Sequence, residues 1–211
     1  MIYVIDKDCF GAFAPELAEM HRLRYRVFKE RLDWDVTVSG DMEIDEYDAL
    51  DPVYLIHCDR AGRVRGCVRF LPTTGPNMLS LTFPALLGGE AAPRSRFVWE
   101  ISRFSLDVDV QAQKTGRGLS QATFELLAGV FEFGITRGLD HFCAVTDLLF
   151  ERILRRAGVP WRRIHAPRQI GRSFAVAGYV DISTAVLDHL SIQGGLRQPV
   201  LTTPFRLKET A

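Results

Sequence analysis

Apolar residues return along this chain with two different periods, and the change of period marks out its elements. Residues 1–6 carry a compact apolar run that reads as a short strand. From Pro15 onward Leu17, Met20, Val27, Phe28 and Leu32 recur at helical spacing, which predicts a helix over 15–32. VYLIHC (53–58) and VRGCVRFL (64–71) flank the turn sequence DRAGR and predict a β-hairpin. RFVWEISRFSL (96–106) predicts a further strand and 115–138 a long helix. Strand HFCAVT (141–146), helix LLFERILRRAG (148–158), and strands WRRIH (161–165) and SFAVAGYVDIS (173–183) follow. Mixed strands and helices imply an α/β fold, with parallel neighbours wherever a helix separates two strands. No linker, repeat or low-complexity segment divides the 211 residues, so one domain spanning 1–211 is expected.

Within the strand at 96–106, the stretch WEISRFSLD sets a carboxylate and a guanidinium three positions apart. Regular alternation would send Glu100, Ser102 and Phe104 to one face and Ile101, Arg103 and Ser105 to the other. A β-bulge adds one residue and would bring Glu100 and Arg103 to one face, and bulges concentrate beside active sites. A structural ion pair at a sheet edge is the plainer alternative.

Lys plus Arg and Asp plus Glu both number 26, and this neutral balance argues against a nucleic-acid partner. The average hides a segregation. Residues 33–51 hold eight acids and no base, whereas 152–172 hold seven arginines and no acid. Each run alone reads as a solvated face; together they suit a protein with one cationic and one anionic ligand. Cys9, Cys58, Cys67 and Cys143 form no C-x-x-C pair, and the five histidines offer no metal-ligand spacing, so no metal is expected. The N-terminus lacks a basic start with a long apolar core, and no 18-residue uncharged apolar run occurs. A monomeric cytoplasmic protein with reduced thiols, away from membranes, is the expectation.

QKTGRG (113–118) fits Q-x-x-G-x-G ahead of the long helix. It resembles the pyrophosphate loop of the acyl-CoA N-acyltransferase fold: glycines admit a close ligand, and helix-opening N–H groups face an anion. An ordinary loop and helix start would read the same way. Arg24, Phe28, Trp34, Asp45 and Asp48, then GCVRFLPTTGPNML from Gly66 and WEISRF at 99–104, form an ordered set. The set resembles the acyl-homoserine-lactone synthases, the autoinducer synthases of quorum sensing, from the first helix to about Gly158. The resemblance implies an N-acyltransferase-like three-layer α-β-α sandwich with a mixed central sheet, splayed into a cleft beside a bulge. It also implies two substrates, S-adenosylmethionine and an acyl thioester of CoA or acyl carrier protein, and no cofactor. The amine would be acylated, and the substrate carboxylate would then close the lactone and expel methylthioadenosine.

The residues suit that chemistry. Asp45, supported by Asp48, is expected to hold the ammonium. Phe28, Trp34 and Phe104 are expected to enclose the adenine or sulfonium, each being otherwise core. Arg24, Arg69 and Arg103 are candidates for gripping the substrate carboxylate or locking the acids of the site. Glu100 is the expected base, with bulge N–H groups on the oxyanion. For the acyl donor the candidates are Lys114, Arg117, Ala144 and Thr146, while Phe142, Leu148 and Leu149 line a tunnel or belong to the core. A covalent route through Cys67 competes, although no His partner is evident. An N-acyltransferase for another amine, or a silent adenosyl-binding domain, are the alternatives to a synthase.

Overall fold

The computed structural model describes residues 1–107 and 118–202. In chain order the elements are β1 (Ile2–Ile5), α1 (Ala14–Arg24), β2 (Val38–Ser39), β3 (Met42–Glu43), β4 (Val53–Cys58), β5 (Val64–Pro72), α2 (Met78–Leu81) and β6 (Val98–Leu106). There follow α3 (Gln121–Thr136), β7 (His141–Asp147), α4 (Leu148–Ala157), β8 (Trp161–Arg163), β9 (Arg168–Ile170), β10 (Ser173–Asp181), α5 (Thr184–Gly194) and β11 (Leu201–Thr202). One sheet has the order β11-β1-β4-β5-β6-β7-β10-β8, with β9 also on β10, and helices cover both faces. This is the expected three-layer sandwich, and the sheet is mixed.

Parallel pairing across a helix holds for β6 and β7, joined through α3. It fails for β1 with β4 and for β7 with β10, which are antiparallel although α1 and α4 intervene. In the first case segment 32–52 returns the chain once more before it enters the sheet; in the second β8 and β9 enter the sheet first, both beside β10.

On one face Phe70 and Phe142 of the sheet share a core with Phe124, Phe131 and Phe133 of α3 and Leu187 and Leu190 of α5. On the other, Met20, Leu23, Val27 and Phe28 of the first helix cover Ile5, Tyr54, Ile56 and Cys67. That helix matches the predicted span but widens into a π-helix over Tyr25–Arg31. Such widened turns are frequent at functional sites.

β6 pairs with β7 only from Val98 to Ile101, opposite His141 to Ala144. Beyond that point β6 stays with β5 and β7 stays with β10, so the sheet opens into a wedge. Among the described residues no helix is long and apolar enough to cross a membrane.

Candidate functional site

The register of β6 against β5 slips where the wedge begins. Arg69 faces Ser102 and Cys67 faces Ser105, so Arg103 and Phe104 together oppose Val68 alone. This is a two-against-one bulge, and Arg103 sits in it at φ 55°. The extra residue turns Arg103 onto the face of Glu100, Ser102 and Arg69. It also moves Phe104 to the opposite face, where its ring lies 4.8 Å from that of Phe150. Phe104 is therefore separated by the sheet from Phe28 and Trp34, with which it was expected to enclose the adenine or sulfonium.

Two further segments deliver the acids. Ser39-Gly40-Asp41-Met42 turns at Gly40, φ 61°, so that β2 and β3 pair and present Glu43. Asp45 then caps the helical turn 46–49: its side chain accepts from Tyr47 N while Asp48 accepts from Asp45 N, a reciprocal cap. Arg24 arrives from the C-terminal end of α1, and Arg69 and Tyr54 from facing positions of β5 and β4.

The result is a closed lattice of guanidinium and carboxylate groups. Arg24 binds Asp48 through two bonds of 2.8 Å and donates through Nε to Glu43. Arg69 grips both oxygens of Asp45, reaches Asp48 at 2.8 Å, and donates to Ser102 Oγ at 3.0 Å. Arg103 binds Glu43 at 2.9 Å and Asp45 at 2.7 Å. Tyr54 donates to Asp48 at 2.7 Å. Arg24, Arg69 and Glu43 are fully buried, so breaking one pair would strand a charge at a cost of about 3 to 5 kcal/mol. Burial alone would raise the carboxyls of Glu43 and Asp48. The guanidinium of Arg24, helped by Arg103 at Glu43 and Arg69 at Asp48, outweighs it and holds both below the usual carboxylate range.

Glu100 lies behind this lattice. Its oxygens accept from Met78 N at 3.0 Å and Leu79 N at 2.6 Å, and burial pushes its carboxyl up despite those bonds. Met78 Sδ in turn accepts from Arg69 and Arg103 at 3.2 and 3.4 Å, tying Glu100 to the arginines through one side chain. At the outer edge the Arg103 guanidinium lies 5.5 Å from the Phe28 ring, which stacks on Trp34 at 5.4 Å. Arg103, Phe28 and half-buried Trp34 form one continuous wall. Trp34 N, bonded to Phe28 O at 2.9 Å, closes the π-helix and fixes this stack.

Arg24, Asp45, Asp48, Arg69 and Arg103, singled out in the sequence, thus converge. Glu43, which sequence reasoning passed over, joins them; its signal is the spacing Glu43, Asp45, Asp48 inside the acidic run. The expected ammonium role of Asp45 meets a physical obstacle. Its oxygens already take Tyr47 N, both Arg69 nitrogens and Arg103, which fills the roughly four lone-pair sites of a carboxylate. Cys67 is buried with its Sγ 3.0 Å from Ser105 Oγ, and burial lifts its thiol to about 11, which disfavours a nucleophilic thiolate. Ala144 and Thr146 line the β7 side of the wedge, and Lys114 and Arg117 lie outside the described residues. Among the described residues no cluster of His, Cys, Asp or Glu is placed to hold a metal.

In the arginine run, Glu151 is buried and holds Arg163 at 2.6 Å and Arg155 at 3.0 Å, while Arg172 meets Asp33 at 2.6 Å. Part of each charged run therefore neutralises carboxylates and arginines within the chain.

A mixed sheet parted beside a bulge, with a buried charged site at the fork, defines an acyltransferase of the α/β sandwich type. Residues 13–190 match the sequence model of the Autoinducer synthase family, and the chain belongs to that family. It is 40% identical over 194 residues to an acyl-homoserine-lactone synthase of Agrobacterium fabrum, covering 92% of each chain. A CoA-dependent acyl-homoserine lactone synthase, BjaI, solved with SAM and isopentyl-CoA, superposes with a TM-score of 0.87 at 27% identity, over 97% of this chain and 93% of that one. The AHL synthase LasI superposes with a TM-score of 0.79 at 37% identity, over 92% and 95%.

Proposed function

We propose that this enzyme transfers an acyl group from a thioester to the amine of S-adenosylmethionine, then lets the substrate carboxylate close a homoserine lactone and release methylthioadenosine. The observation that carries this reading is the bulge: it turns Arg103 into the charged lattice at the point where β6 and β7 part to admit a second substrate. Names of relatives support both substrates, since BjaI was solved with SAM and isopentyl-CoA.

The substrate's aminopropyl carboxylate meets Arg103, the guanidinium at the open edge, while the Phe28–Trp34 stack takes the adenine or sulfonium. Asp45 and Glu43 act through Arg103, holding its fork in place. Arg24, Arg69 and Asp48 hold those acids, and the ammonium lies towards Glu100. Glu100, its carboxyl raised by burial, accepts the amine proton directly or through one water. Lactonisation needs a folded-back substrate and little more, because the sulfonium is already an activated leaving group. Phe104 belongs to the acyl side of the wedge, with Ala144 and Thr146. The donor is acyl-CoA or acyl carrier protein, for which the basic surface of 152–172 suits either partner. The enzyme works as a cytoplasmic monomer with no cofactor, S-adenosylmethionine being consumed as substrate.

Incubation with S-adenosylmethionine and a panel of acyl thioesters tests the reading. Release of methylthioadenosine together with an acylated lactone is expected. Acylated S-adenosylmethionine without methylthioadenosine would remove the lactonisation step, and no turnover would leave an N-acyltransferase for another amine or a silent binding domain.

A further inference from the structure

Met78 opens α2 between the charged lattice and Glu100, and both its backbone and its side chain are engaged. Its N–H donates to Glu100 at 3.0 Å, and its Sδ accepts from Arg69 Nη2 at 3.2 Å and from Arg103 Nη1 at 3.4 Å. The side chain is buried with Tyr47, Leu71 and Phe83. The turn that carries it is closed by Asn77, whose side chain accepts from Ser80 N at 3.0 Å, and by Thr82 N and Phe83 N on Met78 O at 2.8 and 2.9 Å. The sulfur is thereby fixed where the two guanidiniums meet it. With it, Arg69 places all five of its N–H groups: Nε on Ser102, Nη1 on Asp45 and Asp48, and Nη2 on Asp45 and Met78. Arg103 binds Glu43 through Nε and Nη2, Asp45 through Nη2 and Met78 through Nη1.

The lattice sets Arg24, Arg69 and Arg103 against Glu43, Asp45 and Asp48, so its charges balance without Glu100. Among the described residues no bond from Arg69 or Arg103 reaches Glu100, although the bulge puts all three on one face. A thioether is a weak acceptor that carries no charge and takes no proton. It can therefore satisfy the outer N–H groups of both arginines without drawing an acid out of the lattice. We propose that Met78 is a positioning residue that holds the two guanidiniums off Glu100 and so keeps the base for the amine unpaired, an inference that rests on the acyltransferase reading above. Among the titratable and charged groups around Glu100, the arginines decide its state. Cys143 faces it from β7, and burial, helped by Glu100, pushes that thiol up; Tyr47 is raised too, chiefly by burial. Both stay uncharged. A guanidinium turned onto Glu100 would instead lower its carboxyl by about one to three pH units, because an opposite charge in contact favours the ionised form. The weaker base would accept the amine proton less readily.

Met78→Leu keeps the volume and removes the acceptor. In this variant the acidic limb of the kcat–pH profile should move to lower pH by about one to three units, and kcat at neutral pH should fall at least about threefold. Met78→Gln returns an acceptor oxygen near the same place and should bring the limb back towards its wild-type position. NMR titration of protein carrying isotope-labelled glutamate, with the Glu100 signal assigned through Glu100→Gln, reads the same carboxyl without turnover. Its midpoint should lie above the ordinary glutamate value of about 4.3 in the wild-type protein and should fall in Met78→Leu. A limb and a midpoint that stay in place or rise in Met78→Leu would reduce Met78 to packing and overturn the proposal. A wild-type midpoint at or below about 4.3 would overturn it without any variant. If the wild-type enzyme acylates S-adenosylmethionine from no donor, the acyltransferase reading falls instead, and the NMR titration still decides whether Met78 keeps the arginines from Glu100.

Discussion

Arg103 occupies a backbone conformation that glycine adopts freely and other residues adopt at a cost, and it does so where its guanidinium bridges Glu43 and Asp45. Strain at φ 55° is thus coupled to a side chain that only this position can supply. Arg103→Ala and Arg103→Gly both remove the guanidinium and should both lose activity, but the glycine variant relieves the strain. It should be more stable than the alanine variant by about 1 kcal/mol in thermal or urea unfolding. Equal stability would show that the bulge stores no strain. Glu100 admits a sharper separation of roles. Glu100→Gln should lower kcat by about 10²-fold if the carboxylate is the base, and the acidic limb of the kcat–pH profile should go with it. A variant that is slow but keeps that limb would make Glu100 an anchor for Met78 and Leu79 rather than a base. Asp45→Asn frees one tooth each of Arg69 and Arg103 and should weaken S-adenosylmethionine binding by about 1.5 to 3 kcal/mol in a calorimetric titration. Unchanged affinity in folded protein would remove Asp45 from the binding machinery.

The elements legible in the sequence are the longer ones, which carry apolar residues along most of their length. The β4–β5 hairpin, β6, β7, β10, α1, α3 and α4 all lie where their period predicts them, because each repeats its apolar positions often enough to be read. β2, β3, β9 and β11 have two or three residues each and α2 has four, too few to show any period. The bulge could be suspected from Glu100 and Arg103, because alternation alone would have separated them. Glu43 was hidden by its company: one acid among eight has no mark of its own until Arg24 and Arg103 close on it from distant elements. Phe104 lies on the other face from the one alternation predicts, since one extra residue changes the face of whatever follows it. Element packing also yields a stability test. A Cβ on Gly178 of β10 would lie 2.4 Å from the Trp161 ring and 2.7 Å from Arg162 O, so Gly178→Ala should destabilise the fold by about 1 to 3 kcal/mol. An unchanged melting temperature would mean that β8 can draw away from β10 at no cost.

Across the whole molecule, titration of the lattice should shape the response to acid. The carboxyls of Glu43 and Asp48 are held below their ordinary values, so their contribution to stability is present above the unfolded carboxylate range of about 4 and is lost as pH falls. Glu100 works in the opposite sense. Its raised carboxyl favours the folded state at low pH, and that contribution disappears as pH rises through its folded value. Urea midpoints measured from pH 7 to pH 3 should therefore fall most steeply below about pH 4. Glu43→Gln should flatten that fall, and an unaltered slope would assign it to other carboxylates. The exposed arginines of α4 and β9 invite a second measurement at this scale. Arg152→Glu with Arg168→Glu should reduce kcat/KM for carrier-linked donor more than for acyl-CoA, and the difference should shrink with salt. Equal effects on both donors would mean that no protein partner is steered by this surface.

The bulge also makes the enzyme one codon away from a silent relative. With Arg103 deleted, Phe104 would fall opposite Val68 and the β5–β6 ladder would run without a slip, every remaining side chain keeping its present face. The deletion that takes Arg103 out of the lattice thus leaves the strand more regular than before. A lineage relieved of the need to make its signal could shed the activity in a single event and keep a foldable sheet.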